Sequence, residues 1–179
     1  MRIISGNHKG KKIIAPNNLP VRPTTDFAKE SLFNILNNYF HFDSVTVLDI
    51  FAGTGNISYE FAARNALEIT AIDSNAVCVD FISKTAQQLS FDRLKALKME
   101  ALSFLSICRQ QYNIIFADPP FDWDKYNRIP ELVFEKNLLL PDGFLVIEHS
   151  ADINFSTHIK LYQQRTYGKV NFSIFAENL

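Results

Sequence analysis

Apolar runs of strand length alternate with helix-like segments between residues 45 and 148, and this alternation limits the possible folds more than any other feature. The runs predict five strands, at 45–50, 68–73, 94–99, 113–118 and 144–148. Helices are predicted near 57–64, 76–89, 101–109 and 130–137. Strands that alternate with helices pair in parallel, because each helix returns the chain to the same end of the sheet. The pattern therefore indicates an α/β fold with helices on both faces of a parallel sheet.

The alternation of predicted strands and helices stops after residue 148. Two strand-like runs, 160–166 and 170–175, are joined by Tyr167-Gly168-Lys169, which is typical of an antiparallel hairpin. Five parallel strands followed by this hairpin predict a seven-stranded sheet. A dehydrogenase domain normally continues with parallel units, so the hairpin argues against that class.

The first 23 residues differ from the rest of the chain. Two apolar pairs, Ile3-Ile4 and Ile13-Ile14, flank a basic turn and predict a small hairpin, after which three prolines favour an extended chain. A helix should follow, capped from residues 24–26, with apolar residues at a spacing of three and four: Ala28, Leu32, Ile35, Leu36 and Tyr39. We therefore divide the chain into a basic hairpin extension, residues 1–23, and a main domain, residues 24–179.

Charge is distributed unevenly along the chain, although the net charge is only -1. Residues 1–29 carry six basic groups and one acid, whereas the remaining 150 residues carry 12 basic and 18 acidic groups. A basic end predicts contact with a polyanion, although a solvated lysine-rich end explains the charge equally well. The apolar runs are far shorter than the roughly 18 residues of a membrane helix, and the start resembles no secretory signal. We expect a cytoplasmic protein.

A glycine loop, DIFAGTGN at 49–56, follows the first predicted strand. Ligands of open α/β sheets bind beyond the carboxyl ends of the strands, where this loop must lie. Gly53 and Gly55 allow a ligand to approach the backbone closely. Asp49 precedes them, and Asp73 ends the second strand, where an acid can accept hydrogen bonds from both hydroxyls of a ribose. These residues and Phe51 of the same loop predict a nucleoside site.

The loop lacks the features of a phosphate site. Ser58 stands where a dinucleotide fingerprint has its third glycine, and no Gly-Lys-Ser or Gly-Lys-Thr follows. Asp49 suits a cationic ligand better than an anionic one, and S-adenosylmethionine combines a sulfonium, an ammonium and a ribose. We therefore expect S-adenosylmethionine as the cofactor. The alternative for Asp49 and Asp73 is capping of the adjoining turn or helix.

A second motif, Asp118-Pro119-Pro120-Phe121, ends the fourth predicted strand. Two prolines restrict the backbone, so the segment forms a rigid ledge that presents a carboxylate, a carbonyl and an aromatic ring. The acceptors can hold the N–H groups of an exocyclic amine, and Phe121 can stack on the base. The alternative is an ordinary proline turn.

Two other classes share part of this pattern. A DNA or RNA adenine-N6 methyltransferase would have both the ledge and the loop, although 179 residues leave no room for a DNA target-recognition domain. A non-catalytic nucleoside-binding scaffold would be expected to lose the ledge, and Asp118 is present. The four histidines suggest no nucleophilic or metal site, and we expect no metal.

Taken together, these motifs resemble the RsmD-type small-subunit (16S) ribosomal RNA guanine-N2 methyltransferases, a family of class I, Rossmann-like enzymes. The resemblance covers about the first 150 residues. It is carried by Arg2-Ile3-Ile4-Ser5-Gly6, Lys9-Gly10-Lys11, Arg22-Pro23-Thr24-Thr25-Asp26, Glu30-Ser31-Leu32-Phe33-Asn34, the loop 49–55, the ledge 118–121 and the segment 138–148. Serine replaces the family's usual glycine at Ser5, and Phe27 and Lys29 stand where arginines are usual.

The resemblance implies methyl transfer from S-adenosylmethionine to a guanine N2 amine of ribosomal RNA. The partner would be a small-subunit particle or an assembly intermediate, and the protein a monomer. Catalysis would involve Asp118, Pro119, Pro120 and Phe121, and cofactor binding Asp49, Phe51, Gly53, Gly55, Asp73, Glu100 and Ala101. RNA would contact Arg2, Lys9, Lys11, Lys12, Arg22 and Thr24. Glu100-Ala101 takes the place of the family's Asp-Ala or Asn-Ala pair, which faces the adenine.

Overall fold

A seven-stranded sheet forms the centre of the computed structural model, which describes residues 1–16 and 25–177. The strands are β1 (Thr46–Asp49), β2 (Glu68–Asp73), β3 (Leu94–Lys98), β4 (Tyr112–Ala117), β5 (Leu139–His149), β6 (Leu161–Tyr167) and β7 (Val170–Ala176). Their order in the sheet is β3-β2-β1-β4-β5-β7-β6. The first five are parallel, and β7 lies antiparallel between β5 and β6. The predicted fold class is confirmed.

Five helices cover the two faces of this sheet in the described part of the chain. They are α1 (Asp26–Leu36), α2 (Asn56–Ala63), α3 (Ala76–Gln88), α4 (Ala101–Ile107) and α5 (Arg128–Glu135). Side chains of α1, α2 and α3 share one apolar core with the sheet, and those of α4 and α5 share the other. The four crossover helices lie within two residues of their predicted bounds, because apolar periodicity marks the buried face of each helix. None of the described helices is long and apolar enough to cross a membrane.

Strand β5 begins five residues before the predicted start at 144. Pro141-Asp142-Gly143 resembles a turn, but Leu139 is buried and pairs with Tyr112 of β4. The pairing register then shifts between Tyr112 and Ile114, which accommodates the irregular backbone. Burial of the apolar start therefore outweighs the local turn preference.

Helix α1 begins as predicted and ends before Tyr39. The side-chain oxygen of Thr25 accepts a hydrogen bond from the amide of Ala28 at 3.2 Å and caps the helix. The helix stops at Leu36, and the Tyr39 ring lies beyond it, 4.9 Å from the Phe144 ring. The apolar spacing thus predicted the buried positions Ala28, Leu32 and Leu36 correctly, but it extended the helix too far, to the 46% exposed Tyr39.

The N-terminal hairpin is reduced to one antiparallel bridge, between Arg2 and Lys12. Ile3 and Ile13 are buried in the core of α1 to α3, whereas Ile14 is 87% exposed. The turn packs on the end of α2, where Gly6 adopts a φ of +71° and a Cβ would lie 2.0 Å from the Ala63 carbonyl oxygen. Glycine is therefore required at this contact. The domain boundary after residue 23 stays a prediction.

Candidate active site

Three carboxylates meet at the carboxyl ends of neighbouring parallel strands. Asp49 ends β1 and pairs with Phe116, two residues before Asp118, while Ala117 pairs with Ile147, one residue before Glu148. Side chains alternate along a strand, so Asp49, Asp118 and Glu148 lie on the same face of the sheet. The structure therefore brings the glycine loop and the ledge to one edge, called here the site edge.

Asp49 is buried, and among the described residues only one of its two carboxylate oxygens has a hydrogen-bond partner. Its Oδ2 accepts a hydrogen bond from the Ser58 hydroxyl at 2.7 Å, whereas Oδ1 has no hydrogen-bond partner among the described residues. Burial raises the pKa of Asp49 to about 7, an effect that the Ser58 bond opposes and the nearby Asp73 carboxylate increases. An unpartnered buried acceptor fits a ligand that donates a hydrogen bond or carries positive charge.

The glycine loop turns sharply beside Asp49. Gly55 has a φ of +81°, and a Cβ at this position would lie 2.8 Å from the Tyr59 ring. The Gly55 amide donates to the Ala52 carbonyl at 2.7 Å, which closes the turn before α2 begins. The turn therefore requires glycine at position 55, because a side chain there would collide with Tyr59 and Ile82.

Asp73 holds the glycine loop against the end of β2. Its Oδ2 accepts the Gly53 amide at 2.8 Å, and its Oδ1 accepts the Asn75 amide at 2.8 Å. The capping role foreseen as an alternative is therefore present. Each carboxylate oxygen can accept a second hydrogen bond, so a ribose contact is compatible with it and stays a prediction.

Glu100 and Ala101 start helix α4 at the same end of the sheet. Glu100 is exposed, and its Oε2 accepts the Ser103 amide at 2.8 Å as an N-terminal cap, while Ala101 is buried. Glu100 therefore caps α4. Its contact with adenine stays a prediction.

The ledge presents Asp118 and Phe121 at the site edge. Burial raises the pKa of Asp118 well above its usual value, and repulsion from Glu148 and then Asp49 adds to the effect. Pro119 is buried, Pro120 is exposed, and the Phe121 ring is 54% exposed. An aromatic ring so exposed contributes little to the core and is accessible to a planar ligand.

Three further residues shape the ledge without having been predicted. The Tyr126 hydroxyl lies 3.2 Å from the carbonyl oxygens of both Pro119 and Pro120. The Trp123 ring contacts Tyr126 and also packs edge to face on Phe51 of the glycine loop, with centroids 5.1 Å apart. Glu148 could have been found from the sequence, because it is another acid at the end of a buried strand.

The predicted RNA-binding residues are spread along α2. Arg2 lies near its start, since the Lys29 ammonium donates to both the Arg2 carbonyl and the Asn56 side chain, at 2.6 and 2.8 Å. The turn at the other end of the hairpin lies near the end of α2, where the Asn7 amide donates to the Ala63 carbonyl at 2.6 Å. Lys9 belongs to this turn, so it lies away from the site edge, whereas Lys12 pairs with Arg2. Arg22 and Thr24 lie outside the described residues.

Lys29 does not contribute to a basic surface, although it was counted among the charges of the basic end. Its side chain is 1% exposed, and its ammonium lies 2.9 Å from a carboxylate oxygen of Glu60. Glu60 also pairs with Arg64 and accepts the Ile4 amide at 2.7 Å. This charge is internal because a buried acid neutralises it. Its spacing of three residues from Leu32, on the apolar side of the predicted helix, was the sequence feature that could have indicated burial.

The described residues contain no group of three or more histidine, cysteine or acidic side chains able to hold a metal ion.

The chain is similar to known proteins in both sequence and fold. The family described as "Conserved hypothetical protein 95" matches residues 1–176. The chain belongs to this family. Since its relatives include ribosomal RNA small subunit methyltransferases D, the resemblance to RsmD-type enzymes is confirmed.

Two curated relatives and one solved structure are similar over nearly the whole chain. Ribosomal RNA small subunit methyltransferase D of Haemophilus influenzae is 30% identical, covering 98% of this chain and 93% of the relative. The putative rRNA methyltransferase YlbH of Bacillus subtilis is 31% identical, covering 98% of each chain. The structure of the putative methyltransferase yhhF from Escherichia coli superposes with a TM-score of 0.84 at 27% identity, covering 98% of this chain and 96% of that chain.

More distant structures share the fold. A SAM-dependent methyltransferase from Agrobacterium tumefaciens superposes with a TM-score of 0.61 at 18% identity, covering 83% of this chain and 60% of that chain. The family members and the fold together mark the chain as a methyltransferase.

The buried carboxyl of Asp49 should lower stability above neutral pH. Its pKa rises from 3.8 to about 7 on folding, so the native state holds a proton that the unfolded chain releases between these values. The contribution of Asp49 to stability is thus greatest below about pH 4 and is lost as the pH rises to 7. Asp49→Asn should raise the free energy of unfolding at pH 8 by up to about 4 kcal/mol, with little change at pH 4.

Urea unfolding at the two pH values measures this difference. Asp43→Asn, at an exposed acid, is the control and should change stability by less than about 0.5 kcal/mol. Equal stability of Asp49→Asn and the wild type at pH 8 would contradict the burial argument. The same variant should attract a cationic ligand less strongly, because a neutral amide replaces the carboxylate.

Proposed function

We propose that the protein transfers a methyl group from S-adenosylmethionine to the exocyclic N2 amine of a guanine in small-subunit (16S) ribosomal RNA. The observation that carries this proposal is the ledge, which places Asp118 and the 54% exposed Phe121 ring at the same edge as the glycine loop. Relatives named ribosomal RNA small subunit methyltransferase D support the choice of substrate.

The residues of the glycine loop fit the proposed cofactor. When bound, S-adenosylmethionine supplies a methyl group that its sulfonium already activates for transfer. The unpartnered Oδ1 of Asp49 would accept from the ammonium, and Asp73 would accept from the ribose hydroxyls. Gly53, Gly55 and Phe51 would border the ligand, with Glu100 and Ala101 near the adenine. Metal is not part of the proposal.

Positioning is the main task of the ledge. Asp118 and the Pro119 carbonyl would accept the N–H groups of the guanine amine and direct its nitrogen at the methyl group. Phe121 would stack on the base, and Pro120 would keep the segment rigid. The base must be unpaired or flipped out of its stack to reach this edge.

Tyr126 should position the ledge through its hydroxyl. A single proton lies within reach of two carbonyls, so the hydroxyl can bond Pro120 when Pro119 accepts the amine. Tyr126→Phe should therefore lower kcat by about 3- to 10-fold, the value of one lost hydrogen bond, and leave cofactor affinity unchanged. Steady-state methylation and titration calorimetry measure the two effects. Tyr112→Phe, in a buried tyrosine at the start of β4, is the control, and an equal loss there would refute the specific role.

The remaining assignments complete the proposal. RNA would be held by Arg2, Lys9, Lys11, Lys12, Arg22 and Thr24, on a monomer that works in the cytoplasm on a small-subunit particle or assembly intermediate. Residues 1–23 would serve as an RNA-binding extension and residues 24–179 as the catalytic domain. Phosphate contacts of this kind add affinity without reading sequence.

Mapping of modified nucleotides tests the function directly. Total RNA from cells with and without the protein should differ at one N2-methylguanine of small-subunit ribosomal RNA. Purified protein should restore that mark on RNA or particles from the deficient cells when S-adenosylmethionine is present. Loss of N6-methyladenine would instead support the alternative enzyme class, and no loss of methylation would overturn the proposal.

A further inference from the structure

Two aromatic rings far apart in sequence meet on the surface beside the first helix. Phe27, on the first turn of α1, is 65% exposed, and its ring contacts Tyr167 edge to face, with centroids 6.1 Å apart. Tyr167 is half-buried, because its ring also packs on Phe172. We call Phe27 and Tyr167 the site-edge pair. Because only part of the Phe27 ring is covered, the ring is accessible to a planar ligand.

The pair lies at the same edge of the sheet as the ledge. Tyr167 ends β6 and pairs with Val170, and the next residue, Asn171, pairs with His149 at the end of β5. Glu148, the preceding residue of β5, is one of the three carboxylates at the site edge. The turn between β6 and β7 therefore brings Tyr167 close to the end of the strand beside the ledge.

Three basic residues belong to the segments next to the site-edge pair. Arg2, whose side chain is 54% exposed, forms a salt bridge of 3.2 Å with Asp26, the neighbour of Phe27 in the chain. Lys12 is exposed and pairs with Arg2 in the backbone bridge. Lys169 is exposed in the turn that follows Tyr167. Aromatic rings flanked by cations are typical of surfaces that bind single-stranded nucleic acid.

We propose that the site-edge pair is a stacking platform for an unpaired base of the RNA strand that carries the target guanine. This inference rests on the proposed function and adds to it a surface distinct from the ledge. Bases stack on aromatic rings, so the exposed Phe27 ring can take one face of an unpaired base. The flanking cations would hold the phosphates on either side of the stacked base.

The chain provides a matched control in a second aromatic pair. Tyr39 and Tyr162 are 46% and 42% exposed, and their centroids are also 6.1 Å apart. They connect the end of α1 to β6, but at the opposite edge, because Tyr39 follows α1 and Tyr162 lies near the start of β6. The eleven-residue helix separates the two pairs by roughly 16 Å. We call Tyr39 and Tyr162 the opposite-edge pair.

Removing each pair in turn tests the platform. Phe27→Ala/Tyr167→Ala should weaken affinity for the unmethylated RNA at least about 5-fold and raise KM, since one base loses its stacking partner. Tyr39→Ala/Tyr162→Ala should leave RNA affinity within 2-fold of the wild type, a threshold of about 0.4 kcal/mol. Affinity for S-adenosylmethionine and thermal unfolding are measured on the same samples. If loss of the half-buried Tyr167 ring destabilises the fold, Phe27→Ala alone is used for the same measurements.

The results distinguish failure of the stacking platform from failure of the proposed function. Phe27→Trp should retain RNA affinity, because an indole ring also stacks on a base. If the wild type methylates RNA but Phe27→Ala binds it equally well, the platform is wrong and the function stands. If the wild type neither binds nor methylates ribosomal RNA, both proposals fail. Equal loss from the two pairs would also overturn the platform.

Discussion

Asp118→Ala should lower the single-turnover rate of methyl transfer by about 100-fold or more while leaving affinity for S-adenosylmethionine within about 2-fold of the wild type. The carboxylate lies at the end of β4 near Phe121, where it can align the proposed acceptor nitrogen, and it is outside the glycine loop proposed to hold the cofactor. Its removal should therefore affect the reaction and not the binding of the methyl donor. Rapid-quench rates at saturating cofactor, with calorimetric titration of the same sample, measure both quantities.

The variant should fold normally, because burial, and then repulsion from Glu148 and Asp49, oppose ionisation of Asp118 in the native state. Asp122→Ala is the control, since Asp122 is exposed and lies in the same loop. Its turnover should match the wild type. Normal turnover of Asp118→Ala would exclude the proposed role of the ledge.

The pH profile gives an independent check of Asp118. Burial and the neighbouring carboxylates raise its pKa, so protonation removes one acceptor oxygen at a higher pH than for an exposed acid. Turnover should fall as the pH drops through this raised pKa. Asp118→Asn keeps one acceptor and has no proton to gain, so it should show a lower rate without that acid limb. An unchanged limb in Asp118→Asn would assign the titration to another group.

Glu60→Ala should lower the free energy of unfolding by about 3 to 5 kcal/mol. Glu60 is fully buried and accepts charge-assisted hydrogen bonds from Lys29 and Arg64 as well as the Ile4 amide. Its removal would leave the buried Lys29 ammonium without its counter-charge. Equilibrium unfolding in urea at pH 7 measures the loss.

The control for this network is the surface pair Glu68 and Lys95, 3.3 Å apart and with the lysine side chain 68% exposed. Glu68→Ala should cost less than about 1 kcal/mol, because water screens exposed ion pairs. Lys29→Met/Glu60→Met should be more stable than the sum of the single losses predicts, since neither charge is then left alone. Additive losses would show that the pair does not act as a unit.

The same network gives Glu60→Ala a functional consequence. Lys29 bonds the Arg2 carbonyl, and Glu60 bonds the Ile4 amide, so together they fasten the N-terminal hairpin to α1 and α2. Weakening of this attachment should therefore reduce the proposed contribution of Arg2 and Lys12 to RNA affinity. A basic segment is thus held in place by charges that never reach the solvent.

The sequence alone determined the sheet and the two motifs of the site. Apolar periodicity marks buried strands and helices locally, and the carboxyl ends of parallel strands must share an edge. These two rules are sufficient to bring Asp49 and Asp118 together, although 69 residues separate them. They also predicted the terminal hairpin, since its turn residues lie next to each other in the chain. Features that depend on local sequence pattern and on the fixed topology of parallel strands could therefore be predicted from the sequence.

Only the tertiary structure decided which polar and aromatic side chains face one another across elements. Lys29 becomes internal because an acid on α2 meets it, and Tyr126 reaches the ledge because the loop before α5 folds back on Pro119. Phe27 and Tyr167 touch across 140 residues of chain. A single charge or ring carries no periodic signal for its partner, and burial depends on the final packing of distant segments. The alternation of strands and helices sets where the elements lie, and packing decides which of their side chains meet.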